Sequence, residues 1–106
     1  MKTYYFAVLT VALAVSNAAF AASNGEAVFK QSNCHGCHAV DRKSVGPSLK
    51  DVAAKYAGDK DAQAKLEKKT RNGGGGVFGT MPMPATPKTV SDADIKTMVS
   101  WILSLK

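Results

Sequence analysis

A chain of 106 residues with two cysteines and a net charge of +6 holds one small domain. The sequence has no internal repeat and no second domain, and no basic run interleaved with aromatics that would mark a nucleic-acid surface. The positive excess suits an acidic docking partner, or ordinary solubility.

Residues 1–21 read as a secretory signal, with Lys2 as a short basic region, Tyr4 to Val15 as the apolar stretch and Ala19-Phe20-Ala21 as an A-x-A cleavage site. The alternative is an uncleaved membrane anchor, which needs about 20 predominantly apolar residues. Ser16, Asn17 and the small residues after them weaken the far end of such a span. Cleavage leaves residues 22–106 as the mature domain and removes only the Lys2 charge, so +6 becomes +5. A chain this short has a limited core of its own.

Ser23-Asn24-Gly25-Glu26 fits a capping box, which predicts a short helix starting at Ser23 and running through Ala27, Val28 and Phe29. Cys34-His35-Gly36-Cys37-His38 follows and reads C-x-x-C-H, the attachment site of a c-type haem. Two thiols with two residues between them reach two vinyl groups on one edge of a porphyrin. The next residue, His38, can then turn its imidazole over the iron, while His35 faces away. A thioredoxin-like dithiol would need a βαβ pattern, and no strand-like segment is nearby. A zinc site would lack a fourth sulfur or imidazole, because His35 and His38 are the only histidines and no third cysteine exists.

Asp41 to Lys43 is a charged loop, and Pro47 disfavours helix before it. Leu49, Val52, Ala53 and Tyr56 at i, i+3, i+4 and i+7 predict a second helix ended by Gly58. Asp61 to Arg71 predicts a third, polar helix with Ala62, Leu66 and the Lys69 stem inward and a solvated outer face. Asn72 and four glycines open a flexible loop that lacks the Lys-Ser/Thr of a phosphate loop. Val77 to Lys88, with Pro82, Pro84 and Pro87, predicts an extended, stiff coil. Ser91 caps the last helix, Val90 staples to Ile95, and Ile95, Met98, Val99 and Ile102 form its apolar face, widened by Trp101 and Leu105.

The sixth iron position cannot be filled by a further histidine. Of the mature methionines, Met98 belongs to a helix face and has a core role. Met81 and Met83 remain, in Thr80-Met81-Pro82-Met83-Pro84. The prolines pre-set that loop and reduce the entropy lost in holding a weak thioether ligand. Met83, bracketed by two prolines, is the preferred ligand and Met81 the alternative.

These residues, together with Val45-Gly46-Pro47, Asp51 to Gly58, Gly76-Val77-Phe78-Gly79 and Trp101-Ile102-Leu103-Ser104, resemble the small bacterial class I cytochromes c of the c-551/c-552 type over essentially the whole mature chain. The resemblance implies an all-α fold of about four short helices around one covalently bound haem c. It implies Cys34, Cys37, His38, Met83 and Pro47 as the haem-binding set. Met83 becomes the axial ligand with His38, and Pro47 offers its carbonyl to the His38 imidazole. Phe29 and Trp101 match the crossing of the first and last helices. Three departures from the pattern stand out. Phe78 replaces a common tryptophan and Lys69 an arginine found in some relatives near the haem propionates, and the segment Ala85 to Thr89 departs from a Pro-Pro-Asn pattern that follows the ligand loop, with Thr86 as the candidate replacement for the asparagine as a donor near the Met83 sulfur.

The expected function is a periplasmic one-electron carrier between respiratory redox proteins, donating to a terminal oxidase, peroxidase or nitrite reductase. It is not an enzyme, because both axial positions are filled, and Met/His ligation raises the potential. The expected partners are redox proteins with acidic docking surfaces, with no nucleic acid, no stable membrane insertion of the mature chain, and a monomeric state. The competing reading is a haem enzyme or gas sensor with a displaceable methionine.

Overall fold

The computed structural model describes residues 18–106, with side chains from residue 24 onward. The basic and apolar parts of the expected signal, and most of the candidate anchor, therefore lie outside the described residues. No helix among the described residues is long and apolar enough to cross a membrane.

Among the described residues four helices form in chain order: α1 (Ala18–Gln31), α2 (Leu49–Lys55), α3 (Ala62–Asn72) and α4 (Asp92–Leu103). A single 3₁₀ turn, Cys34–Gly36, carries the start of the cysteine motif. Among the described residues the only β pairing is one antiparallel bridge between Gly74 and Met83.

The helix ends follow local chemistry. Ser91 Oγ accepts from the Asp94 amide at 3.1 Å, as its sequence position predicts, and Asp92 and Asp94 lie in the favourable first turn. Ser48 does the same for α2, accepting from the Asp51 amide at 3.0 Å. The Ser23 box is not the start of α1, which extends back to Ala18. Alanines upstream of Ser23 continue the helical ladder, and a cap acts only where the chain leaves helical geometry.

The core lies where α1 crosses α4. Phe29, Ile95, Met98, Val99, Trp101 and Ile102 are buried there, with Leu49, Val52 and Leu66 supplied by α2 and α3. Each fully buried aliphatic side chain of this kind contributes about 1.5–3 kcal/mol. The Phe29 and Trp101 rings meet at 5.6 Å between centroids, which fixes the crossing expected of that pair. Gly25 makes the approach possible. A Cβ there would overlap Trp101 Cβ and lie 2.8 Å from the Thr97 carbonyl oxygen. Gln63 joins α3 to α4, donating to the Lys96 carbonyl at 3.1 Å and accepting from Ser100 Oγ at 3.2 Å.

Two expectations change. The segment 77–88 is not extended throughout. Gly76 N–H donates to Gly79 O at 2.9 Å, and the Gly74–Met83 bridge closes residues 74–83 into a folded-back loop. Four of the chain's glycines adopt positive φ between residues 73 and 79, which gives the loop its reversal before the prolines take over. Nor is the polar face of α3 wholly solvated. Arg71 is spent on backbone carbonyls of the segment 86–92, and Thr70 is buried, its Oγ1 donating to Leu66 O at 2.8 Å.

Candidate haem site

The motif is delivered by a left-handed residue. Asn33 has φ 61°, which turns the chain from α1 into the 3₁₀ turn, and asparagine is one of the few side chains that tolerates it. The His38 amide donates back to Cys34 O at 3.0 Å, so the five residues form one compact unit. The loop after it is tied down by Gly46 N–H to Cys37 O (2.7 Å), Leu49 N–H to Ala39 O (2.9 Å) and Lys50 N–H to Val40 O (3.0 Å).

These contacts bring Gly46 and Pro47 against the imidazole. His38 Nδ1 lies 2.8 Å from the Pro47 carbonyl oxygen. Because a carbonyl can only accept, Nδ1 carries the proton and Nε2 keeps its lone pair. Gly46 lies against the ring itself, where a Cβ would be 2.6 Å from Cε1 and 2.9 Å from Nδ1. Only glycine fits between this loop and the imidazole.

Cys34, Cys37, His38, Pro47 and Met83 all line one cleft of about 300 Å³, within the range of ligand pockets. Met81 and the buried Met98 border it too, and Cys34 Sγ is 3.9 Å from Met98 Sδ. Met83 is half-buried, whereas Met81 is 69% exposed. Gly73 sets the position of Met83. Its φ of 70° ends α3, and a Cβ there would overlap the Met83 carbonyl oxygen. Gly74 then exchanges both bridge hydrogen bonds with Met83, at 2.9 and 3.0 Å.

The border of the cleft tests whether a haem suits it. Val45, Val77, Phe78 and Met81 are the exposed large apolar side chains of the described chain, and all four lie on this cleft. A contiguous exposed apolar surface of this kind marks a binding site, and its thiol, imidazole and thioether donors are those of a c-type haem. The donor set and its surroundings fit the group.

The rivals fit poorly. Burial pushes the Cys34 thiol up, whereas a redox dithiol needs a lowered one. Among the described residues no three His, Cys, Asp or Glu side chains converge as a zinc site requires. His35 is exposed, as expected, with its ring centroid 6.4 Å from that of Phe29 in an edge-on arrangement.

The departing positions are now placed. Lys69 lines the cleft and donates from Nζ to Gly75 O at 3.2 Å. Phe78 lies under Lys55, whose Nζ is 5.6 Å from the ring centroid. Thr86 does not donate to the Met83 sulfur, because its hydroxyl is committed to Thr70 O at 2.7 Å. Reading the sequence alone misses Gly46, Gly73 and Arg71. A glycine beside a proline reads as a turn, and a backbone carbonyl partner leaves no signature in the sequence.

Comparison with known proteins gives the same picture. The cytochrome c family model matches residues 22–106. Cytochrome c-551 of Pseudomonas aeruginosa is 48% identical over 85 residues, covering 80% of each chain. Cytochrome c-552 of Nitrosomonas europaea is 52% identical over 77 residues, covering 73% of this chain and 74% of that one. The crystal structure of wild-type Nitrosomonas europaea cytochrome c552 superposes with a TM-score of 0.72 at 49% identity, covering 76% of this chain and 99% of the other. A four-helix fold among the described residues, a donor set on one apolar cleft and a family match over residues 22–106 lead to one assignment: the chain belongs to the cytochrome c family, in its class I c-551/c-552 branch, and carries one covalently attached haem c.

Proposed function

We propose that this chain is exported to the periplasm, loses residues 1–21 and works there as a one-electron carrier, with haem c linked through Cys34 and Cys37 and ligated by His38 and Met83. The haem supplies a reversible Fe(II)/Fe(III) couple. The observation that carries the reading is the 2.8 Å contact between His38 Nδ1 and the Pro47 carbonyl, which leaves Nε2 free to bind a metal on the cleft that Met83 also lines. Pro47 fixes the tautomer and orientation of the imidazole. Gly73 and Gly74 hold the Met83 backbone, so little rearrangement is needed to keep a thioether in place. With His38 and Met83 both holding the iron, no coordination position would remain open to a substrate, which favours a carrier over a haem enzyme.

Lys43 and Lys69 border the cleft, and Lys55 reaches over Phe78 beside them. Their charge favours a redox partner with an acidic face and a small, short-lived contact made by a monomer. A terminal oxidase, peroxidase or nitrite reductase suits the acceptor role.

Mass spectrometry of the denatured, exported protein checks attachment. The expected mass is that of residues from about 22 onward plus one haem, and a bare polypeptide from cells with haem-maturation machinery would sink the reading. Spectra of the ferric protein check the ligands. Met83→Ala should lose the low-spin His/Met signature and lower the potential, and Met81→Ala should keep both; the reverse pattern transfers the role to Met81.

A further inference from the structure

The segment that follows Met83 is held by contacts that axial ligation does not use. Thr86 donates its amide to Thr70 O at 3.2 Å and to Arg71 O at 3.3 Å, and its hydroxyl to Thr70 O at 2.7 Å. These acceptors belong to the last turn of α3, where helical carbonyls lack intrahelical partners. Arg71 then spans the same segment. Nη1 donates to Thr86 O (3.3 Å) and Pro87 O (3.1 Å), and Nη2 to Val90 O (2.7 Å). Nη2 and Nε also reach the Asp92 carboxylate, at 2.7 and 3.2 Å.

The two kinds of partner differ in weight. The Arg71 side chain is 23% exposed and that of Asp92 is 95% exposed. The ion pair is therefore screened and contributes little. The carbonyls of Thr86, Pro87 and Val90 are what the guanidinium gathers, and its planar fork of donors suits three acceptors on a curving backbone. Upstream, the Gly74 bridge restrains Met83; downstream, the nearest restraint is Thr86. Among the described residues no hydrogen bond reaches the Met83 sulfur, so the thioether depends on its backbone being held.

The geometry points to Arg71 as a positioning residue that, with Thr86, latches the Met83 segment to the end of α3 and so resists displacement of the thioether by an external ligand. This rests on Met83 being an iron ligand. Swinging Met83 away requires residues 83–87 to leave α3, which breaks the Arg71 and Thr86 bonds together. Without the guanidinium that opening is easier, and an added ligand competes better.

The test is imidazole binding to the ferric holoprotein, followed by loss of the iron–methionine charge-transfer band. Arg71→Gln should raise imidazole affinity about tenfold, the scale of one hydrogen bond to a charged group. Arg71→Lys should fall between, because an ammonium is a point donor rather than a fork. Gln63→Ala removes two hydrogen bonds elsewhere on α3 and serves as the control. It should lower the unfolding midpoint and leave imidazole affinity unchanged. An Arg71→Gln protein that is less stable yet binds imidazole as the parent does would overturn the latch. If Arg71→Gln yields no holoprotein, Thr86→Val decides by the same titration: a several-fold gain supports the latch and an unchanged affinity overturns it. Met83→Ala separates the two ideas. Should it retain the charge-transfer band, the ligand assignment fails; should it lose the band while the Arg71 and Thr86 variants leave affinity unchanged, only the latch fails.

Discussion

Replacing Gly46 by alanine places a methyl group on the face of the His38 imidazole. The added Cβ would be 2.6 Å from Cε1, 2.9 Å from Nδ1 and 3.0 Å from Nε2. Carbon–carbon contact is comfortable only from about 3.5 Å, so something must shift by roughly 1 Å. The Gly46 backbone is poorly placed to shift. Its N–H donates to Cys37 O at 2.7 Å, its carbonyl accepts from Ser44 N–H at 3.0 Å, and Pro47 restricts the next φ. The ring therefore yields, and the Nδ1–Pro47 hydrogen bond at 2.8 Å is strained or lost. Overpacking costs about 1–3 kcal/mol and a neutral hydrogen bond about 1 kcal/mol. A loss of about 2–3 kcal/mol lowers the melting temperature of a domain this size by roughly 10 °C or more. The potential should move as well. An imidazole that donates to a carbonyl gives more electron density to its metal and favours the ferric state. Losing that bond raises the potential. With 59 mV per tenfold change in a one-electron couple, about 1 kcal/mol sets an upper bound near 40 mV. Only the difference in bond strength between oxidation states counts, so the expected rise is about 10–40 mV. Redox titration and the Nδ1–H resonance in NMR measure both effects. A variant with an unmoved potential and an unmoved ring proton would mean that the imidazole has room, and the reasoning would collapse.

Gly25→Ala sets helix propensity against packing. Alanine gains about 1 kcal/mol over glycine inside a helix, but its Cβ would overlap Trp101 Cβ, which no rotamer can relieve. Packing should win, with a net loss of about 1–2 kcal/mol in thermal unfolding and an unchanged potential; a more stable variant would show that α1 and α4 can separate freely. The second-order rate of electron transfer to the physiological acceptor should fall as salt rises, because Lys43, Lys55 and Lys69 surround the cleft and the Debye length is only about 10 Å at 0.1 M ionic strength. A stopped-flow rate that is flat or rising with ionic strength would assign the positive excess to solubility and the docking face to apolar contact.

Much of the architecture can be read from the chain because its signals are local. The helical period of Leu49, Val52 and Ala53, the cap at Ser91 and the apolar face from Ile95 to Ile102 each need only neighbouring residues, and each appears in the structure. The attachment motif is contiguous, so its chemistry is visible without a fold. What stayed hidden depends on distance. Arg71 stands in a polar helix and reads as solvent-facing, because its acceptors are backbone carbonyls of residues 86, 87 and 90. Gly46 reads as a turn residue until its distance to the imidazole is measured. The folding back of residues 74–83 depends on a bridge between two residues whose types do not announce pairing. The Ser23 box misleads for the opposite reason: a valid local cap pattern lies inside a helix that alanines extend upstream.

The two sides of the cleft are built on different terms. On the His38 side, everything from Cys34 to Pro47 lies within one short stretch, closed by bonds from Gly46 to Cys37 and from His38 to Pro47. Closing so short a loop costs little entropy, and two covalent links to the macrocycle would secure it further. On the Met83 side, the restraints come from residues 70–74 and 86–92, and the loop between Gly74 and Met83 is exposed almost throughout. Long-range restraints on exposed backbone are the first to open in a native protein. A thioether is also the weaker ligand. Any opening that admits an outside ligand must therefore begin at Met83, and the bonds that delay it are those of Gly74, Thr86 and Arg71. The proposed His38/Met83 ligation, kept in both oxidation states, would rest on those bonds on the Met83 side.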